Sequence, residues 1–207
     1  MLIMVSVGKR TGPKPRFSEA DAVAAALELG LDTFTLAGVA KRLGIGTSSL
    51  YRVISSRDDL VTMCLRRILG QLKHSSKVAA WDKQLVEAAE SLWDLMEQYP
   101  GLDHTFITSP GLVVQLQDFF QAQASRLVEG GFPGDISRIE FALDFIFDTT
   151  ISTHYQLMAV RRDFQKMSEE VTDTTTFFTP EDSWLDRGWL DRKIAFIIAG
   201  LKEGLDV

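Results

Sequence analysis

Apolar residues recur at intervals of three and four along most of the chain, the spacing of helices that bury one face, so the fold class is all-α. Ser18 is placed to cap a first helix, with Glu19 and Asp21 in its first turn, an apolar face of Val23, Ala24, Ala26 and Leu27, and Gly30 as its stop. Thr35 precedes a second helix whose face is Leu36, Val39, Ala40 and Leu43. Gly44-Ile45-Gly46 stops it, and Thr47 then caps a short third helix that turns Leu50 inward. A fourth begins near Arg57-Asp58-Asp59, capped by Ser55 or Ser56, and runs through Leu60, Met63, Cys64, Ile68 and Leu72 to Lys73.

Beyond a polar connection, residues 73–80, a long amphipathic helix is expected from Trp81 to Tyr99, broken by Pro100-Gly101. One or two turns follow at 102–108. Pro110 suits the start of a helix carrying Leu112, Leu116, Phe119, Phe120, Gln123 and Leu127, and the glycines of 130–134 end it. Asp135 or Ser137 opens the longest helix, to about residue 160, apolar on more than one face and hence buried from several sides. Residues 161–182 turn polar, and the threonine-rich stretch Thr172 to Thr176 reads as a mobile surface loop. A last helix is expected from Trp184 to Leu205.

Two short helices joined by a glycine turn make a helix-turn-helix. The second exposes Thr47, Ser48, Ser49, Tyr51 and Arg52, a set of hydroxyls, a phenol and a guanidinium that suits phosphates and base edges in a DNA major groove. The same composition also describes a small polar helix on a soluble surface. The stretch from Gly44 to Leu60 resembles the DNA-binding signature of the tetracycline-repressor (TetR) family: Ser49, Leu50, Tyr51 and Leu60 match it, Arg57 replaces the usual lysine, and Val53 stands where an aromatic or histidine is common. The resemblance implies a three-helix head, residues 17–73, whose candidate DNA-binding residues are Lys14, Arg16, Thr35, Thr47, Ser48, Ser49, Tyr51, Arg52 and Arg57. Lys14 and Arg16 belong to a basic arm, residues 1–16, kept from helix by glycine and proline.

Charge sharpens this division. The 207 residues carry a net charge of −6, yet residues 1–67 hold ten Lys/Arg against six Asp/Glu, and the remainder twelve against twenty-two. A basic end on an acidic body fits nucleic-acid contact confined to that end. The lone cysteine, Cys64, permits no disulfide within the chain and sits in an apolar run, so it reads as a core residue of a cytoplasmic protein. No apolar stretch reaches the ~18 residues that span a membrane, and none has the form of a signal peptide.

The body, residues 74–207, resembles the C-terminal domain of the drug-responsive branch of the same family, through the Trp-led helix ending in Tyr99-Pro100, the Pro110 helix, and Glu129-Gly130-Gly131-Phe132. That implies a homodimer built on the helices at 136–160 and 184–205, a double-stranded DNA operator as partner, and a small-molecule effector that releases it, the activity of a repressor. Candidate ligand-binding residues are Trp93, Met96, His104, Phe106, Leu116, Phe120, Phe141, Phe145, Asp148, His154 and Tyr155. Apolar walls with a few polar groups describe a ligand site and also an ordinary helical core. Two histidines without a placed carboxylate make a poor metal site, so neither metal nor cofactor is expected. No phosphate loop, nucleophile elbow or Cys/His ligand spacing favours an enzyme. A DNA-binding regulator without an effector is the remaining alternative.

Overall fold

The computed structural model describes residues 17–109, 114–170 and 181–204. Within these the chain is helical, in nine α-helices and two short 3-10 turns, with no strand among the described residues. The head comprises α1 (Glu19–Leu29), α2 (Leu36–Arg42), α3 (Thr47–Leu50) and α4 (Arg57–Leu69). Ser18 caps α1 in a full capping box: its hydroxyl accepts from the Asp21 N–H, and the Asp21 carboxylate accepts from the Ser18 N–H at 2.8 Å. Thr35 accepts from the Gly38 N–H to cap α2, and Ser56 accepts from the Asp59 N–H to cap α4. The expected cap of α3 is corrected: Gly46 holds that position, and Thr47 is the first helical residue. Gly44, at φ +69, makes the turn between α2 and α3. Ala24 points to solvent, and the buried face of α1 is Ala22, Val23, Ala25 and Ala26. Helix α4 stops at Leu69, short of Lys73, with Gly70 as its C-cap.

The body comprises α5 (Trp81–Gln98), α6 (Leu102–Thr108), α7 (Gln117–Glu129), α8 (Ile136–Glu170) and α9 (Leu190–Lys202). Helix α5 runs through its centre, burying Leu85, Ala88, Leu92, Trp93 and Met96, and packs on α8. The linking segment is pinned by Ser75, which accepts from the Gln123 amide at 2.6 Å and, through its carbonyl, from Arg126 at 2.9 Å. One apolar cluster runs unbroken from Ala22 and Leu60 in the head to Leu127, Ile146 and Ile198 in the body.

Three expectations for the body change. Helix α7 begins at Gln117, after a 3-10 turn over 114–116, while Pro110 and Leu112 lie outside the described residues. Helix α8 does not stop near residue 160. It continues to Glu170, 35 residues in all, because its polar end is rich in strong helix formers (Arg, Gln, Lys, Met, Glu) and holds no Gly or Pro. Polarity there marks exposure rather than a loop; Thr172 to Thr176 lie outside the described residues. The last helix starts at Leu190 instead of Trp184: residues 182–185 form a tight 3-10 turn, and Gly188, at φ +57, redirects the chain.

Candidate nucleic-acid interface and effector site

Helix α3 is short because Gly46 opens it without a side-chain cap and the chain leaves it at Leu50. Leu50 is fully buried and Ile54 nearly so, which anchors the segment from below. The outer side then presents Thr47, Ser48, Tyr51 and Arg52 to solvent, with Tyr51 54% exposed, while Ser49 is half-buried. Tyr51 and Arg52 sit in the turn after α3 rather than on it. Two other candidate residues have structural work. The Thr35 hydroxyl is occupied as a helix cap. Arg57 donates from Nε to the Phe34 carbonyl and from a terminal nitrogen to the Asp32 carbonyl, both at 3.2 Å, with its guanidinium 4.7 Å above the Phe34 ring. Arg57 therefore ties α4 to the α1–α2 loop. Lys14 and Arg16 lie outside the described residues.

The candidate ligand residues do not share one pocket, which corrects the single lining expected for them. Trp93, Met96, Leu116 and His154 are buried in the core, with Phe106 and Phe120 partly buried against it; Phe120 packs on Phe147 at 5.0 Å. Phe141, Phe145 and Asp148 face outward from α8. The reason is helical geometry: the six steps from Asp148 to His154 rotate about 240° around the axis, which sends the two to different faces. His104 and Tyr155 form a third, exposed group with rings 6.2 Å apart. His104 also borders a polar crevice of about 350 Å³ between α4 and α6.

The buried group forms a polar cluster that its sequence did not announce. Asp103 of α6 and His154 of α8 are 5% and 2% exposed, with His154 Nδ1 2.8 Å from Asp103 Oδ2. A carboxylate only accepts, so Nδ1 carries the hydrogen. Burial pushes the Asp103 carboxyl up, but the bond from His154, the His104 backbone N–H and the two histidines outweigh it and hold the carboxyl below its ordinary range. Trp93 meets the His154 ring edge-on at 4.8 Å. Arg161, two turns along α8, donates to Glu97 Oε1 at 2.7 Å and to the Asp186 carbonyl. Arg187 places its guanidinium 5.5 Å from the Trp93 ring. His154 Nε2, Arg161 Nε and Arg187 Nε are buried without hydrogen-bond partners. Of these residues the sequence reading named Trp93 and His154. Glu97 is one turn beyond Trp93, and Arg161 shares a face with His154, so helical spacing from those two could have found both. Among the described residues no three His, Cys, Asp or Glu side chains converge as metal ligands.

The outer face of α8 and α9 is apolar and open. Phe141, Phe145, Trp189 and Phe196 are exposed on it, Phe196 by 80%. A groove of about 670 Å³ runs between the two helices, with Asp148 on the α8 side and Arg192 and Lys193 on the α9 side. Burial and the neighbouring Asp144 push the Asp148 carboxyl up. Helix α9 adds the small residues Ala195 and Ala199 to this exposed face.

The α1–α2 loop of the head also touches the body directly. The Leu31 N–H donates to the Pro100 carbonyl at 3.2 Å. Gly101, at φ +84, lies so close to Asp32 that a Cβ there would overlap its carboxylate.

No protein-family model matches the sequence, and no curated protein matches it. Solved structures do match the fold. ActR of Streptomyces coelicolor in complex with (S)-DNPA is 20% identical, with 93% of this chain and 100% of that one covered and a TM-score of 0.67. A possible TetR family transcriptional regulator from the same organism is 19% identical, covering 91% and 98%, with a TM-score of 0.70. TetR from Acinetobacter baumannii is 16% identical, covering 93% and 100%, with a TM-score of 0.56. Over more than nine-tenths of its length, this chain has the fold of the TetR-family transcriptional regulators, an N-terminal helix-turn-helix carried on an all-helical body.

Proposed function

We propose that the chain is a DNA-binding transcriptional regulator, working as a homodimer and released from its operator by a small molecule. The division of labour follows the fold: residues 17–73 bind DNA, and residues 74–207 pair the subunits and take the effector. The carrying observation is the helix-turn-helix, which turns Thr47, Ser48, Tyr51 and Arg52 outward from a segment fixed by Leu50 and Ile54. ActR has been solved with actinorhodin as well as (S)-DNPA, which supports an effector for a chain of this fold.

The outer face of α8 and α9 is the dimer surface in this reading. It is apolar and carries acid and base side by side, as a face that pairs with its own copy does. Two subunits then present two α3 segments to half-sites about 34–36 Å apart. The cluster also lies close to the head, since Asp103 is two residues from Gly101, which meets Asp32.

The test is DNA affinity by fluorescence anisotropy on operator fragments selected from genomic DNA. Arg52→Ala or Tyr51→Ala should weaken binding roughly tenfold or more, with the Arg52 variant also lowering the salt slope by about one. Sedimentation should show an unchanged dimer. Unaltered affinity in both variants would remove this surface as the interface.

A second reading, a regulator with no effector, is favoured by Trp93, Met96 and Leu116, which fill interior space with the chain's own side chains. A thermal-shift screen of small molecules separates the two.

A further inference from the structure

Glu97 borders the buried Asp103–His154 cluster. Its Oε1 lies 2.7 Å from an Arg161 nitrogen and 3.6 Å from His154 Nε2. The first is a charge-assisted hydrogen bond, while the second is beyond hydrogen-bond reach. Glu97 thus leaves His154 Nε2, in a side chain 98% buried, without a hydrogen-bond partner. With Nδ1–H given to Asp103, Nε2 is the ring nitrogen left to meet a ligand. A hydroxyl both donates and accepts, so it can bond Nε2 in either protonation state of the ring. Arg161 Nε and Arg187 Nε, beside Trp93, are buried and likewise unpartnered. The Glu97 side chain is itself 40% exposed, so it can swing into water at little cost.

We propose that Glu97 is a built-in stand-in for the effector, and that the effector is an organic acid with a hydroxyl beside its carboxylate. The effector's carboxylate displaces that of Glu97 on Arg161, and its hydroxyl bonds to His154 Nε2. The rest of the molecule lies outward along the path that Glu97 vacates. This rests on the effector-responsive reading and names the ligand class for it. It also explains why the cluster combines one satisfied cation with buried nitrogens that the chain leaves unserved.

Salicylate is the probe, titrated into the purified full chain by calorimetry without DNA. Salicylate should bind, and salicyl alcohol, which lacks the carboxylate, should not. Glu97→Gln removes the competing charge and should tighten salicylate roughly tenfold, the effect of one charge-assisted bond. Arg161→Met should abolish binding, and Arg161→Lys should restore part of it. Equal binding of the alcohol, no gain in Glu97→Gln, or retention in Arg161→Met would overturn the assignment. A crystal soaked in 5-bromosalicylate gives a second readout that does not depend on variants. An anomalous bromine peak beside Arg161 supports the site, and a peak elsewhere or none overturns it. Because no DNA is present, failure here leaves the Arg52 and Tyr51 experiment to decide DNA binding by itself.

Discussion

Asp103 and His154 show how much a single buried contact can govern. Their bond joins α6 to α8 in the dry interior, where an unmade hydrogen bond is costly. Asp103→Asn should cost about 1–3 kcal/mol at neutral pH, read from urea unfolding. The pH dependence has a definite sign. The Asp103 carboxyl is held below its ordinary value in the folded chain, so its contribution is complete above about pH 3.9 and is lost as pH falls beneath that value. Wild type should therefore lose stability on acidification through this range more steeply than the variant. At this scale the sequence was readable where a residue's task is local. Ser18 and Thr35 announced their caps by position, and Gly44 its turn. Arg57 was not readable, because its partners, the Phe34 and Asp32 carbonyls, lie 23 and 25 residues away.

Helix α6 is one of the elements on which the body meets the head, and Gly101 lets its N-terminal end approach Asp32. The residue needs a left-handed φ, and it abuts the Asp32 side chain. Gly101→Ala should destabilise the chain by about 1–3 kcal/mol, the cost of a strained backbone conformation with the steric overlap added. Combining it with Asp32→Gly should recover the overlap but leave the φ strain, which a double-mutant cycle in urea separates. Elements with a strict apolar period were legible in the sequence: α5 was placed to within one residue, and α6 to its ends. The end of α8 was not, since its last ten residues hold only Phe164 and Met167 as apolar side chains, too few to mark a period. The start of α9 also slipped, because Trp184, Leu185 and Trp189 keep a helical spacing that the turn at Gly188 interrupts. The eleven candidate ligand residues split into three groups for a related reason. Helix identity could be read, but which face of α8 looks inward depends on what packs there.

The described residues form a helix-turn-helix head and a helical body that share a continuous apolar core, with one large apolar face left bare. Phe196 projects from that face, so changing it leaves the interior untouched. Phe196→Glu should place two like charges near the two-fold axis of the proposed dimer and yield folded monomer by sedimentation, with operator affinity falling in step. A species that remains dimeric would move the subunit contact elsewhere. Cys64 adds a practical consequence. It lies fully buried between α4 and α1, its sulfur 3.9 Å from the Val23 carbonyl, and burial raises its thiol to about 12. Thiol reagents act on the thiolate, so the native sulfhydryl will stay silent during labelling. A spin label on Ser48→Cys therefore needs no background replacement, and pulsed resonance could gauge the gap between the two heads of the proposed dimer before and after salicylate.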